Sequence, residues 1–328
     1  MKSTAMLKKF KQKIKKNQIY LGCFAVFVLL FTFIAPPNLR PAFSNTSQIY
    51  LRTLPVRLPS TQIIAQSSQN CGGDDGKTAD PRDPGNALIP YIIVPRRTLV
   101  MGDKPKLRWN AVPGVKSYTA SLQSGDKIIW EKTVSANEIV YPGEPRLRVG
   151  TEYLLIVKAD NNRSSEEEKL TQRQFKLLPE TEAEIVKTVI AQLNNQQVTD
   201  KVKAFTSAYI YTTSDLKSEA IEDLEALVAG GIKEAAVYHK LGNLYWQTGI
   251  TLLAENKYLK ADELATAAKD IPEQAEIAKA LGDLYVAIGN QPEAIRWFTQ
   301  ARDNHKTLGN TLQIKELDRE IEKLKAKK

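Results

Sequence analysis

The sequence predicts a multidomain chain, all-β in its middle and all-α in its C-terminal half, preceded by a membrane or signal helix. Three observations carry that expectation. A basic, acid-free N-terminus runs into an uncharged apolar stretch. Short β-branched and aromatic runs, separated by turn residues, extend from about Leu88 to Leu178. Self-similarity at a helical period begins at Ala208. With 328 residues the chain is long enough for two domains with tails, and 42% apolar with 25% charged residues places it among globular proteins. The expected division is 1–35 for the basic segment and apolar helix, 36–86 for a flexible linker, 87–178 for a β-sandwich, 180–306 for paired helices and 307–328 for a capping helix.

A net charge of +9 ordinarily raises nucleic-acid binding first. Its placement points elsewhere. Residues 1–44 carry seven lysines and Arg40 with no acid, leaving 38 of the 46 bases to face all 37 acids. The remainder is electrostatically balanced, so nucleic acid is not an expected partner. Lys2, Lys8, Lys9, Lys11, Lys13, Lys15 and Lys16 precede Ile19–Ala35, an uncharged run of 17 residues. As a helix it would be about 25 Å long, at the short limit for a ~30 Å hydrocarbon core. The lysines hold their flank in the cytoplasm, so the chain beyond the run is exported. As an anchor, the run ties the protein to the inner membrane facing the periplasm. As a signal cleaved after Ala42-Phe43-Ser44 or Ile63-Ile64-Ala65, it releases a periplasmic or secreted protein. Both readings stand on the sequence. Cys23 lies near the start of the run, which excludes lipid attachment there, and Cys71 alone in the exported part cannot close an internal disulfide.

From Asn38 to about Gly85 the chain is rich in Pro, Ser, Gln, Gly and Asp and lacks a sustained apolar period, so a linker is expected. Strands are then expected at Ile89–Val94, Lys106–Trp109, Ser117–Gln123, Lys127–Lys132, Glu138–Tyr141, Glu152–Ala159 and Arg173–Leu178. Two stretches sharpen this. Leu107 to Tyr118 places Trp109 on one strand, Pro113-Gly114 at a turn and Tyr118 at the start of the next strand, and Leu147 to Tyr153 leads into alternating Leu155, Val157 and Ala159. Both resemble fibronectin type III domains. The resemblance implies that Trp109 plugs the core between two sheets and that Tyr153 packs its ring while its hydroxyl bonds backbone. Such a sandwich could bind envelope glycan through aromatics, but Trp109, Tyr118 and Tyr153 lie where core residues belong. Glu166–Glu168 reads as a solvated loop.

After Pro179 the period turns helical. Thr181-Glu182-Ala183-Glu184 reads as a capping box, with Ile185, Val189 and Leu193 on one face of a helix over Glu182–Asn194. Tyr238–Tyr245 then recurs as Ala278–Tyr285, with Leu241, Gly242 and Tyr245 matching Leu281, Gly282 and Tyr285. Gly249 and Gly289 follow, then Ala254 and Ala294, then Tyr258 and Phe298, then Ala261 and Ala301. This resembles the tetratricopeptide repeat. A degenerate copy with Ala208, Tyr211, Ala220, Leu224 and Leu227 lies 34 residues upstream, whereas Gly242 and Gly282 are 40 apart, so the second helix of the middle repeat is extended. Thr307–Lys328 carries Ile314, Leu317, Ile321 and Leu324 and reads as a capping helix.

The resemblance implies a groove, lined by the first helix of each repeat, that grips a protein or peptide. Its candidates here are Val202, Phe205, Tyr209, His239, Asn243, Trp246, Lys279 and Asp283. One subgroup clamps a terminal carboxylate; here His239 replaces a lysine and Glu276 and Ala280 occupy the last pair, so that clamp is not expected. Catalysis finds no support. His239 and His305 are the only histidines, and no metal-ligand spacing, phosphate loop or nucleophile elbow occurs. No cofactor and no metal are expected. The expected protein is a non-enzymatic exported scaffold, with envelope glycan binding by the sandwich as the alternative.

Overall fold

The computed structural model describes residues 86–169 and 172–326. The apolar run Ile19–Ala35 and nearly all of the expected linker lie outside the described residues. Among the described residues, no helix is long and apolar enough to cross a membrane.

The β region contains β1 (Ile92–Val94), β2 (Thr98–Val100), β3 (Lys106–Trp109), β4 (Tyr118–Ser124), β5 (Lys127–Val134), β6 (Glu138–Val140), β7 (Leu154–Ala159) and β8 (Phe175–Leu177). One antiparallel sheet has the order β1-β3-β6 and the other β5-β4-β7, while β2 and β8 pair in parallel. Alternation drives the layering: Tyr118, Ala120 and Leu122 of β4 and Leu155, Val157 and Ala159 of β7 point inward. They share one apolar core with Ile92, Leu107 and Trp109 of the first sheet. Trp109 is fully buried and meets Tyr118 edge-on at 5.6 Å. The Tyr153 hydroxyl accepts the Arg148 backbone N–H at 2.8 Å, and its ring lies beside Phe175. Sequence reading missed β2, which has only three residues and follows Arg96-Arg97.

Eight helices follow among the described residues: α1 (Glu180–Asn194), α2 (Asp200–Thr213), α3 (Lys217–Ala229), α4 (Ala235–Thr248), α5 (Thr251–Ala268), α6 (Ile271–Ala287), α7 (Gln291–Thr307) and α8 (Thr311–Ala326). They form a tetratricopeptide-like α-solenoid of the pairs α2–α3, α4–α5 and α6–α7, with α8 closing the end. One expectation fails at α1. The helix starts at Glu180, so Thr181 lies inside it, and the N-cap is Pro179, whose side chain has no acceptor to offer the first-turn N–H groups. True side-chain caps open α6 and α7, where Asp270 and Asn290 accept the N–H groups of Glu273 and Glu293, with prolines in the first turn of each helix. Helix α8 begins at Thr311, since α7 continues through Thr307.

The repeat positions Leu241, Gly242, Tyr245, Ala254, Leu281, Gly282, Tyr285, Ala294 and Phe298 are all buried. Space dictates the two glycines. A Cβ on Gly242 would lie 2.6 Å from the Tyr258 ring, and one on Gly282 would lie 2.3 Å from the Phe298 ring.

The β region and the helices are not separate bodies joined by a tether. Tyr91, Ile93 and Val94 belong to the helical core, while Ile92 between them faces the core of the sheets. Polar contacts reinforce this. Asp215, left-handed at φ 60° in the α2–α3 turn, presents its carbonyl to Leu99 N–H and the Thr98 hydroxyl, each at 2.9 Å. Helix α3 turns Glu219, Glu222 and Glu225 toward the strands. Glu219 accepts Met101 N–H at 2.9 Å, Glu222 lies 3.7 Å from the Lys106 ammonium, and Glu225 accepts from both Arg108 and the Tyr245 hydroxyl. Arg96 is only 1% exposed. It donates to the Thr248 carbonyl at 2.9 Å and to the Ile92 carbonyl at 3.2 Å, and pairs with Glu168. The run Glu166–Glu168 is therefore not all solvated: Glu168 also accepts Ile92 N–H and forms part of the junction.

Burial pushes Glu219 up to about 7, with the neighbouring Glu222 and Asp223 adding to the rise and the bond from Met101 opposing it. Its Oε2 and the Ser218 hydroxyl are shut off from solvent without hydrogen-bond partners, beside a cavity of about 50 Å³. A carboxyl raised on folding favours the folded state in its neutral form. That contribution is complete below the ordinary carboxyl range and is lost as pH rises through about 7. Glu219→Gln should therefore be more stable than the native protein at pH 8, by ~2–3 kcal/mol, and the difference should shrink toward pH 5. Urea unfolding at both pH values checks this; a pH-independent difference would refute it.

Candidate interaction groove

Tyr209, Asn243 and Asp283 each follow the small residue of their repeat, Ala208, Gly242 or Gly282, so one row runs across α2, α4 and α6. His239 and Lys279 precede the glycines by three, at equivalent positions on α4 and α6. The spacing puts these residues on one side of three successive first helices, but their surroundings differ.

At the α4–α6 boundary the polar groups are already engaged. His239 Nδ1 lies 2.8 Å from Glu273, and its ring meets Tyr258 edge-on. The Tyr258 hydroxyl donates to Asn243 Oδ1 at 2.8 Å. Lys279 donates to Asp283 at 2.9 Å. Burial raises Asp283, with Glu316 and Glu320 of α8 adding to the rise against the pull of Lys279. Trp246 is half-buried and packs on the helical core. These residues hold the repeats in register as well as lining the face.

The α2 end differs. Tyr209 is 39% exposed and Val202 is 42% exposed, one helical face of α2 with Phe205 half-buried between them. Val286, which occupies on α6 the position of Trp246 on α4, is 44% exposed. The Lys240 ammonium stands 6.0 Å from the centre of the Tyr209 ring. Spacing alone did not single out Lys240, because it falls between two candidate positions and its only signal is proximity to α2.

Among the described residues, no group of three His, Cys, Asp or Glu side chains could hold a metal ion. His305 packs in the last repeat with Asn310 at 3.2 Å, far along the chain from His239. Of the aromatics a glycan platform could use, Trp109, Tyr118 and Tyr153 are buried, while half-buried Trp130 packs edge-on against buried Tyr141 at 5.4 Å.

Residues 233–307 match the family model of the tetratricopeptide repeat. No curated protein matches the chain. Solved structures similar to it include BtubC from P. vanneervenii, 14% identical, with a TM-score of 0.32 over 44% of this chain and 73% of that one. The nearly identical TPR-like repeats of a Podosopora anserina protein are 18% identical, with a TM-score of 0.31 over 45% of this chain and 87% of that one. MamA is 16% identical, with a TM-score of 0.30 over 45% of this chain and 92% of that one. Tetratricopeptide repeats imply a protein–protein interaction scaffold for the matched residues.

Proposed function

We propose that this protein is a non-enzymatic adaptor, exported to the cell envelope, that holds a protein or peptide partner in the face formed by α2, α4 and α6. The observation that carries the reading is the exposed apolar set Val202, Tyr209 and Val286 at the two ends of that face, whose residues His239, Asn243, Trp246, Lys279 and Asp283 are packed or paired. Export rests on the lysine-flanked run Ile19–Ala35 and places the folded part in the periplasm, anchored or released. A fibronectin type III-like reading of the β region is supported by the β1-β3-β6 and β5-β4-β7 orders and by the Tyr153–Arg148 bond. In this reading the β region is the rigid base of the adaptor, since it shares a core with α3 and α4.

Site-specific photocrosslinking in cells tests the face. A photoreactive residue placed at Tyr209 or Val286 should yield a discrete crosslinked partner, whereas one at Leu259, exposed on the second helix α5, should not. Equal crosslinking from all three positions would remove the groove assignment.

A further inference from the structure

Where α4 meets Tyr209 of α2, Lys240 is a cation without a counterion among the described residues. Lys240 is half-buried beside Tyr209, and among the described residues its ammonium has neither an ion pair nor a hydrogen bond. Two carboxylates on the face are engaged, Glu273 by His239 and Asp283 by Lys279. Lysines nearby on the same solenoid are satisfied. Lys279 has Asp283, Lys201 has Glu234, Lys203 has the Asn194 carbonyl, and Lys217 has Asp215 and the Arg97 carbonyl. At 6.0 Å the contact with the Tyr209 ring is at the outer limit for a cation–π interaction and does not replace a counterion. Burial pushes the Lys240 ammonium below its ordinary value, and no neighbouring carboxylate opposes the shift. A partly desolvated charge is unfavourable until it is paired.

We infer that Lys240 is a recognition residue for an acidic side chain of the bound peptide, seated between α2 and α4 with an apolar neighbour against Tyr209 and Val202. The inference rests on the groove reading above and adds the chemistry of the partner: a segment with Asp or Glu next to an apolar residue. Charge complementarity selects the acid, since the unpaired charge at this end of the face is positive. The exposed ring and Val202 select the apolar neighbour. A side-chain carboxylate pairs with the ammonium as a buried, charge-assisted hydrogen bond, stronger than the same contact in open water.

Random dodecapeptides displayed on phage, selected in parallel on the full-length protein and on its Lys240→Met, Lys240→Arg and Tyr209→Ala variants, provide the test. The native protein and Lys240→Arg should enrich peptides with an acid at one fixed position beside an apolar residue, and Lys240→Met should lose the acid. An amidated synthetic peptide from the selected pool should bind at least tenfold more tightly than its Glu→Gln counterpart, and Lys240→Met should abolish the difference. Amidation leaves only side-chain carboxylates, so a preference that requires a free C-terminus would overturn the inference. Identical pools from the native protein and Lys240→Met would overturn it while leaving the groove reading in place. Pools unaffected by Tyr209→Ala, or no enrichment at all, would remove both. Circular dichroism of each variant establishes that the helices are retained.

Discussion

Replacing Arg96 by alanine is expected to cost about 3–5 kcal/mol, because removing one member of a buried ion pair leaves the other uncompensated. The guanidinium is almost wholly enclosed and joins three parts of the molecule: the β1 backbone through the Ile92 carbonyl, the C-cap of the short 3₁₀ turn Ser165–Glu167 through Glu168, and the C-terminal end of α4 through the Thr248 carbonyl. The Thr248 contact also places a cation at the negative end of a helix. After Arg96→Ala, Glu168 would retain Ile92 N–H and the more distant Arg173 at 3.9 Å. Charge rather than volume should dominate. Arg96→Met, which keeps most of the packing, should still be strongly destabilised, whereas Arg96→Met combined with Glu168→Met should recover much of the loss. Urea unfolding of the four proteins measures the coupling. If the double variant loses the sum of the single losses, the two residues act independently and the ion-pair account fails.

That junction also marks where the sequence stopped being informative. The strands were legible because alternation within β4 and β7 is a local signal, and the repeats were legible because Gly242 and Gly282 recur with the same partners at fixed offsets. Trp109 and Tyr153 could be placed because short, ordered patterns surround them. The junction has no such signature. Arg96 finds Thr248 across 152 residues and Glu168 across 72, and contacts of that range leave no periodicity in either segment. Glu219, Glu222 and Glu225 look like the solvated side of α3 until the strands are packed on it. Glu168 looks like a loop carboxylate for the same reason. At the groove, spacing found the row Tyr209, Asn243 and Asp283 but could not tell that Asn243 and Asp283 already have partners. Lys240 was passed over because its distinction is the lack of a partner, which only the three-dimensional arrangement reveals.

Gly282 and Phe298 should behave as one unit rather than two. Phe298→Ala opens a void in the α6–α7 interface and should cost about 3–5 kcal/mol, since the ring is almost entirely buried. Gly282→Ala faces two opposed effects. Alanine favours a helix interior over glycine by about 1 kcal/mol. Its Cβ, however, would stand 2.3 Å from two ring carbons of Phe298, so the ring or α7 must move, at a cost of roughly 1–3 kcal/mol or more. The steric effect should win, because the ring has tightly packed neighbours and no solvent to retreat into. In the double variant the obstructing ring is gone and the new Cβ fills part of the void, so the combined loss should fall short of the sum by about 1–3 kcal/mol. Gly242 and Tyr258 provide the contrast within the same chain. The approach there is 2.6 Å, and the Tyr258 hydroxyl is tied to Asn243, so displacing the ring also breaks a hydrogen bond on the groove face. Gly242→Ala should therefore weaken partner binding as well as stability, whereas Gly282→Ala should act mainly on stability. Thermal unfolding beside binding measurements separates the two, and equal effects on binding would mean that the Tyr258–Asn243 contact does not shape the face.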